Sequence, residues 1–320
     1  MGEQVAIGID IGGTKIAFAL VNRRGEALLT HRLPTPVSEG PEAVFAQVVK
    51  GILHLSDQTK HTIAGIGIGS PGHLNPRTGV IHNATNLRWT EIPLLDGLRK
   101  YMPLEIPMWL QKDANAALIG EWLFGAAKGQ RDFVLLTIGT GLGGGAMVEG
   151  KLVNGADNSG MEIGHMPLNA SGRMCNCGMR GCPEMRVSGV GLLAGAKEYL
   201  TDYPTSTLVP LAQNGTLTTE AILDAFAKRD ALAVRLMEDA ADELCTVMIA
   251  CMGILNPALF VIGGGLGHAA FAHFSTRTAE ILQTRTRREI HRRVPIVESQ
   301  VRHSAIGPAC LVWNELANVS

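Results

Sequence analysis

The fold is decided by the stretch Val5-Ala6-Ile7-Gly8-Ile9-Asp10-Ile11-Gly12-Gly13-Thr14-Lys15-Ile16-Ala17-Phe18-Ala19-Leu20-Val21. Residues 5–10 alternate and are rich in β-branched side chains, which suits a strand. Ile11 to Lys15 makes a turn, and Ile16 to Val21 reads as a second strand. Asn22 to Glu26 turns again into a third, Leu28 to Leu33. The opening is therefore a β-meander. That excludes the P-loop and the dinucleotide-binding turn, because both need a helix directly after their glycines.

The same arrangement returns near the middle of the chain. Phe133 to Ile138 reads as a buried strand that runs into Gly139-Thr140-Gly141-Leu142-Gly143-Gly144-Gly145, and Ala146 to Glu149 continues as strand. Two related halves are expected, each offering a glycine-lined turn. Backbone N–H groups in such turns can face phosphate oxygens because no Cβ blocks approach. Hairpins need glycine anyway, so one turn carries little weight; two, each with a threonine hydroxyl, carry more. A third follows the strand Ala258 to Ile262, where Gly263-Gly264-Gly265 suits either a flat ring such as adenine or a tight strand-to-helix connection.

Between the two meanders, Val44, Val48, Ile52 and Leu55 have helical spacing within Pro41 to Leu55. Thr62 to Ile68 is a buried strand, broken by Gly69-Ser70-Pro71-Gly72, and Ile81 to Trp89 carries Asn83, Thr85 and Asn86. Leu94 to Tyr101 is a short helix. Met108 to Gln111 is a strand whose end presents Lys112-Asp113-Ala114-Asn115, ahead of a helix over Ala116 to Gly125. Asp113 or Asn115 would cap that helix. A carboxylate at a strand end and helix mouth also suits chemistry, and position alone does not separate the two roles. Later helices are expected at Val187 to Leu200, Thr218 to Lys228, Ala231 to Leu255 and Ser304 to Leu316. Arg277 to Arg293 is basic but interrupted by Glu280, Ile281, Leu282 and Glu289, so it reads as a solvated helix face.

Three of the six cysteines fall in one short run, Cys175, Cys177 and Cys182, spaced C-x-C-x4-C, and His165 lies shortly before them. Thiolates this close in sequence can converge on one metal ion, and Cys3His is a closed, tetrahedral structural zinc set. A disulfide is disfavoured without an oxidising compartment. Inert packing is disfavoured because Asn176, Gly178, Arg180 and Gly181 are a loop composition. Zinc would shape a substrate pocket and do no chemistry, with the acids Glu162 and Glu184 held beside it. Cys245, Cys251 and Cys310 sit in apolar runs and read as packing residues.

The chain has 320 residues, 46% hydrophobic and 18% charged, enough for two domains or two lobes around a cleft. Its net charge of −1 gives no electrostatic case for nucleic acid or an anionic membrane. Met1 to Gln4 lead straight into a strand without a signal segment, and Leu244 to Leu255 is too short to span a bilayer. A soluble, cytoplasmic protein is expected.

Taken together, these pieces resemble a known family. Asp10-x-Gly-Gly-Thr-Lys15, the Gly139–Gly145 run and Gly263-Gly264-Gly265 resemble the two phosphate motifs and the adenosine motif of the α/β actin-like ATPase (ribonuclease H-like) fold. Adding Asp113-Ala-Asn, Glu162-x-x-His165 and Cys175-x-Cys177-Gly178-x-x-Gly181-Cys182-x-Glu184, the whole chain resembles the ROK family (repressors, open reading frames, sugar kinases), and within it the bacterial glucokinases. The resemblance implies ATP- and magnesium-dependent phosphorylation of a hexose at its 6-hydroxyl. Glucose is the first expectation, with N-acetylmannosamine, N-acetylglucosamine, fructose or allose as alternatives. It implies Asp113 as catalytic base; Glu162, His165 and Glu184, with Gly72 and Thr85, as sugar contacts; and His165 on zinc as well. Gly12, Gly13, Thr14 and Lys15 match the first phosphate loop, Thr140 and Gly141 the second, and Asp10 the acid near magnesium. The implied lobes are residues 1–112 with 303–320, and residues 113–302. A homodimer or homotetramer is implied. The family's repressors carry an added N-terminal helix-turn-helix, for which a first strand at Val5 leaves no room. One position departs: the family usually has a sugar-contacting Asn before the base, and here Lys112 stands there. A cationic donor cannot accept a hydrogen bond, so that contact must change.

Overall fold

The computed structural model of the protein describes residues 3–286 and 288–319. The chain divides into two compact units, residues 1–130, 152–160 and 300–320, and residues 131–151 and 161–299.

The first unit is built on β1 (Gln4–Ile11), β2 (Lys15–Asn22), β3 (Ala27–Pro34), β4 (Thr62–Ser70) and, after a small three-stranded sheet of β5 (His73–Asn75), β6 (Val80–Ala84) and β7 (Trp89–Pro93), β8 (Met108–Lys112). Its large sheet has the order β3-β2-β1-β4-β8, with β1 antiparallel to β2 and parallel to β4. The alternation in the opening sequence now has a cause. Ile7, Ile9, Ile11, Phe18 and Leu20 turn to one face, against Val44, Val48, Ile52 and Leu55 of helix α1 (Pro41–Asp57). Each such buried side chain contributes about 1.5–3 kcal/mol by leaving water. The small residues Ala6, Ala17 and Ala19 turn to the other face, under Ala305, Ala309, Val312 and Trp313 at the C-terminal end of the chain. The helix Ile306–Val319 lies so close there that a Cβ on Gly8 would stand 1.8 Å from Ala305 O, and one on Gly67 1.8 Å from Pro308 O. Helices α2 (Leu94–Tyr101) and α3 (Asp113–Phe124) complete this part.

The second unit repeats the sheet. β9 (Phe133–Ile138), β10 (Leu142–Val148), β11 (Lys151–Leu152), β12 (Leu259–Gly263) and β13 (Ile296–Glu298) are ordered β11-β10-β9-β12-β13. β9 is antiparallel to β10 and parallel to β12, as β1 is to β2 and β4. The long helix Ala231–Leu255 is capped by Asp230 and ends on the left-handed Asn256.

Several expectations change. The units do not divide at 112/113: α3 stays in the first unit because Ala116 and Ile119 pack on Cys310 and Leu311 of the C-terminal helix. Neither Asp113 nor Asn115 caps α3. The helix begins at Asp113 itself, after Lys112, and Asn115 is buried inside it. The second glycine run is mostly strand, since β10 starts at Leu142. The helix expected over Val187 to Leu200 breaks at Ser188, which is extended and caps the following turn through Gly191 N. Residues 244–255, whose apolar run reads as a buried helix, are not wholly buried, as Ile254 is 76% exposed. In the basic segment the helix stops at Arg285; Arg277 pairs with Glu238 at 2.6 Å and with Glu280 at 2.8 Å, which fits a solvated face. Among the described residues no helix is long and apolar enough to cross a membrane.

Candidate active site and metal centre

His165, Cys175, Cys177 and Cys182 converge in the second unit. One ligand atom from each lies within 4.8 Å of all the others. Cys175 Sγ stands 3.6 Å from His165 Nδ1, and Cys177 Sγ 3.6 Å from Cys182 Sγ. A tetrahedral zinc with its usual bond lengths needs edges of about 3.5–3.8 Å, so the donors are spaced for such an ion. A disulfide needs about 2.05 Å, and the three thiols are free. The chemistry of the set agrees. Burial and the two neighbouring thiols push Cys182 up to about 12, and burial raises Cys175. Burial also acts on Cys177, but the Met179 amide and the other thiols outweigh it and hold that thiol below its usual value. Three thiolates cannot crowd together unless a cation takes up the charge.

The loop that carries them is shaped by glycine. Gly181 has φ +75, and a Cβ there would stand 1.6 Å from Asn169 O. Met174 bridges to Arg180, and Cys175 N donates to Met179 O at 2.8 Å, closing the hairpin that brings Cys175 and Cys182 together.

His165 is positioned by the short helical turn Ile163–His165. That turn lies directly on β10: a Cβ on Gly164 would meet Leu142 O at 2.1 Å, and one on Gly144 would meet Ile163 Cδ1 at 2.2 Å. Gly144 therefore serves a packing role that the spacing of the glycines alone did not reveal. Glu162 immediately precedes the turn, and its carbonyl accepts from His165 N at 3.0 Å.

Glu184 joins this centre to the second glycine turn. Its Oε1 is 4.0 Å from Cys175 Sγ, and its Oε2 accepts from Leu142 N at 3.0 Å. A Cβ on Gly141 would stand 2.5 Å from the same Oε2. Gly139 O and Thr140 O accept from Gly189 N and Val190 N, at the start of the helix Gly189–Tyr199. In the third turn Gly264 has φ +84 and no room for a Cβ beside Ile138 O at 2.4 Å, which is the tight connection; a Cβ on Gly265 meets nothing within 4 Å. The tight connection is thus found at Gly264, while Gly265 faces open space.

In the first unit, Asp113 is exposed at the end of β8, and its Oδ1 accepts from Ala114 N at 2.7 Å. Gly69 lies beside it, with a Cβ there 3.6 Å from Asp113 Cα. Asp10 ends β1 next to the first turn. Burial pushes its carboxyl up, while a hydrogen bond with Ser304 and the charge of Lys15 pull it down. Gly12 N donates to Lys15 O at 3.0 Å, Thr35 Oγ1 donates to Gly12 O at 2.7 Å, and Gly13 abuts Asn86 O. Thr14 stands exposed in this turn. Gly72, at φ +94, packs against Asn83 O, and Thr85 Oγ1 donates to Asn83 Oδ1 at 3.4 Å.

Lys112 is only 4% exposed, and its Nζ donates to Gly160 O at 2.8 Å. Around it, Gln111 Oε1 accepts from Lys112 N, Asn115 Nδ2 and Asn158 Nδ2 at 2.8, 3.3 and 3.0 Å. Sequence reading missed this buried polar cluster, as it missed Ser304 and the Leu142 amide. Its members are ordinary polar residues far apart in the chain, and no local spacing marks them.

The ROK family's sequence profile matches residues 6–315. The glucokinase of Thermotoga maritima is 34% identical, over 82% of this chain and 82% of its own length. The glucokinase of Streptomyces coelicolor is 35% identical, again over 82% of each. The crystal structure of a ROK family glucokinase from Streptomyces griseus, in complex with glucose and AMPPNP, superposes with a TM-score of 0.84 at 27% identity, covering 97% of this chain and 99% of that one. The repeated sheet, the Cys/His centre and the extent of these matches agree, and the chain belongs to the ROK family.

Proposed function

We propose that the protein is a sugar kinase, a glucokinase that transfers the γ-phosphoryl group of ATP to the 6-hydroxyl of glucose. The observation that carries the reading is the join at Glu184, where one carboxylate borders both the Cys/His centre and the second glycine turn. A sugar-reading acid held on a phosphate-facing turn suits an enzyme that must align a hydroxyl with a phosphate.

In this reading Glu162, Glu184 and His165 read the sugar, with Gly72 and Thr85 contributing from the first unit. A hexose is uncharged and rich in hydroxyls, so selectivity needs several oriented acceptors, and carboxylates accept two or more bonds each. An analogue lacking a hydroxyl leaves one of them unpaired. Asp113 orients the 6-hydroxyl and takes its proton as the oxygen attacks the γ-phosphorus and ADP leaves. Gly12, Gly13, Thr14 and Lys15, with Thr140 and Gly141, would form the two phosphate loops, and Gly263, Gly264 and Gly265 would border the adenosine. The donor set and spacing fit zinc, which His165, Cys175, Cys177 and Cys182 would hold, and which would supply only fixed geometry to His165 and Glu184. Asp10 suits a magnesium ion, since burial disfavours its bare charge; magnesium would neutralise phosphate oxygens. The reading carries with it a cytoplasmic homodimer or homotetramer, checked by its mass in solution.

The test is a panel of glucose, N-acetylmannosamine, N-acetylglucosamine, fructose and allose, each with ATP. Glucose 6-phosphate as the main product is expected. Transfer to none of the hexoses would overturn the reading, and a different preferred sugar would correct it.

A further inference from the structure

The chain passes between the two units at 130/131, 151/152, 160/161 and 299/300. On the first unit's side, every passage is held by α3 or by the lysine before it. Trp122 Nε1 donates to Gln130 O at 3.0 Å. Asn115 Nδ2 donates to Asn154 Oδ1 at 3.3 Å. Lys112 Nζ donates to Gly160 O at 2.8 Å. The Glu121 carboxylate accepts from Val301 N at 2.8 Å and Gln300 N at 3.3 Å. Asp113, the first residue of α3, is thus part of the same body as these anchor points.

The Lys112 tie stands out because of what it holds. Gly160 closes a segment in which Asn158 has φ +66, and Met161, the next residue on, has φ +62. Asn tolerates that conformation, but Met does not, so the backbone at Met161 persists only while its surroundings hold it. Met161 is followed directly by Glu162. The Asn115 and Asn158 amide oxygens are buried without a protein partner in this cluster, which is costly if stability is the purpose of the arrangement.

We propose that Lys112 is a positioning residue: it does not read the sugar but pins the 154–160 segment to the corner that carries Asp113, so that the base is held in place. This rests on the reading of Asp113 as base. It predicts a pattern different from that of a sugar contact. Losing a contact changes the preference among hexoses. Losing a strut misplaces the base for every hexose alike.

The test uses the full-length enzyme with Lys112→Met, which keeps the stem and loses the ammonium, and with Lys112→Arg. Hydrogen exchange is read over residues 154–160, and kinetics with two accepted hexoses. For Lys112→Met we expect faster exchange in that segment, and kcat down about ten- to a hundredfold, the scale of a small misplacement. KM for ATP should stay within about twofold and the ratio between hexoses should not change, since uniform binding is untouched. Lys112→Arg should recover part of kcat. Unchanged exchange overturns the tie, whether or not the enzyme phosphorylates any sugar. Faster exchange with unchanged kcat makes Lys112 merely structural, and an altered hexose ratio makes it a sugar contact; either overturns the proposal. Absence of transfer by the unmodified enzyme would instead strike the kinase reading alone.

Discussion

The two large sheets share one strand order, yet their glycine turns are finished differently. After β1 the turn is closed by its own backbone, Gly12 to Lys15, and steadied by Thr35. After β9 the turn is closed by others: the Leu142 amide goes to Glu184, and the Gly139 and Thr140 carbonyls go to the start of a helix. The first turn stands beside a half-buried acid, Asp10; the second is bound into the wall that carries the metal ligands. A repeated topology therefore leaves each copy free to be finished by different partners, the first by its own loop and the second by residues from elsewhere in its unit.

The largest effect should come from neither turn. Asp113→Asn keeps the shape of the site and removes the base, and kcat should fall about 10²–10⁴-fold, with glucose affinity by calorimetry largely kept. Near-normal turnover would refute its role. Next, Cys177→Ala should cost the metal, read by elemental analysis of the purified protein. KM for glucose should then rise about 10–100-fold, the scale on which the support of a metal site acts, with nucleotide binding unchanged. A metal-free protein with unaltered KM would detach the centre from the sugar.

Gly67→Ala tests the first sheet alone. Its Cβ would collide with Pro308 O, a backbone atom that cannot swing away, so we expect a loss of about 3 kcal/mol in urea unfolding. The mildest experiment compares the turns directly. Gly141→Ala presses on Glu184 Oε2 at 2.5 Å, whereas Gly12→Ala meets only Lys15 O at 3.1 Å. The former should raise KM for glucose about tenfold, equivalent to ~1.4 kcal/mol, and the latter should leave it unchanged. Equal effects would erase the difference drawn between the turns.

Much of this was legible in the sequence because it is local. Alternation in 5–21, the repeat at 133–149 and the C-x-C-x4-C spacing are each read within a short window, and the structure keeps all three. What was not legible depends on partners distant in the chain. That Gly144 lies in a strand under Ile163, that α3 stays with the C-terminal helix, and that Lys112 turns inward to Gly160 are facts of packing. The capping expectation for Asp113 and Asn115 failed for the same reason: Asn115 is held by Gln111 and Asn154, so the helix could start earlier.

The small-residue face under the C-terminal helix also bears on the order of synthesis. The second unit is complete once residue 299 has been made, whereas the first waits for residues 300–320. Until then Ala6, Ala17, Ala19 and Val21 lack Ala305, Ala309, Val312 and Trp313 against them. The unit that holds the earlier strands is thus finished after the other, and those strands must be kept from pairing wrongly until residues 300–320 have been made.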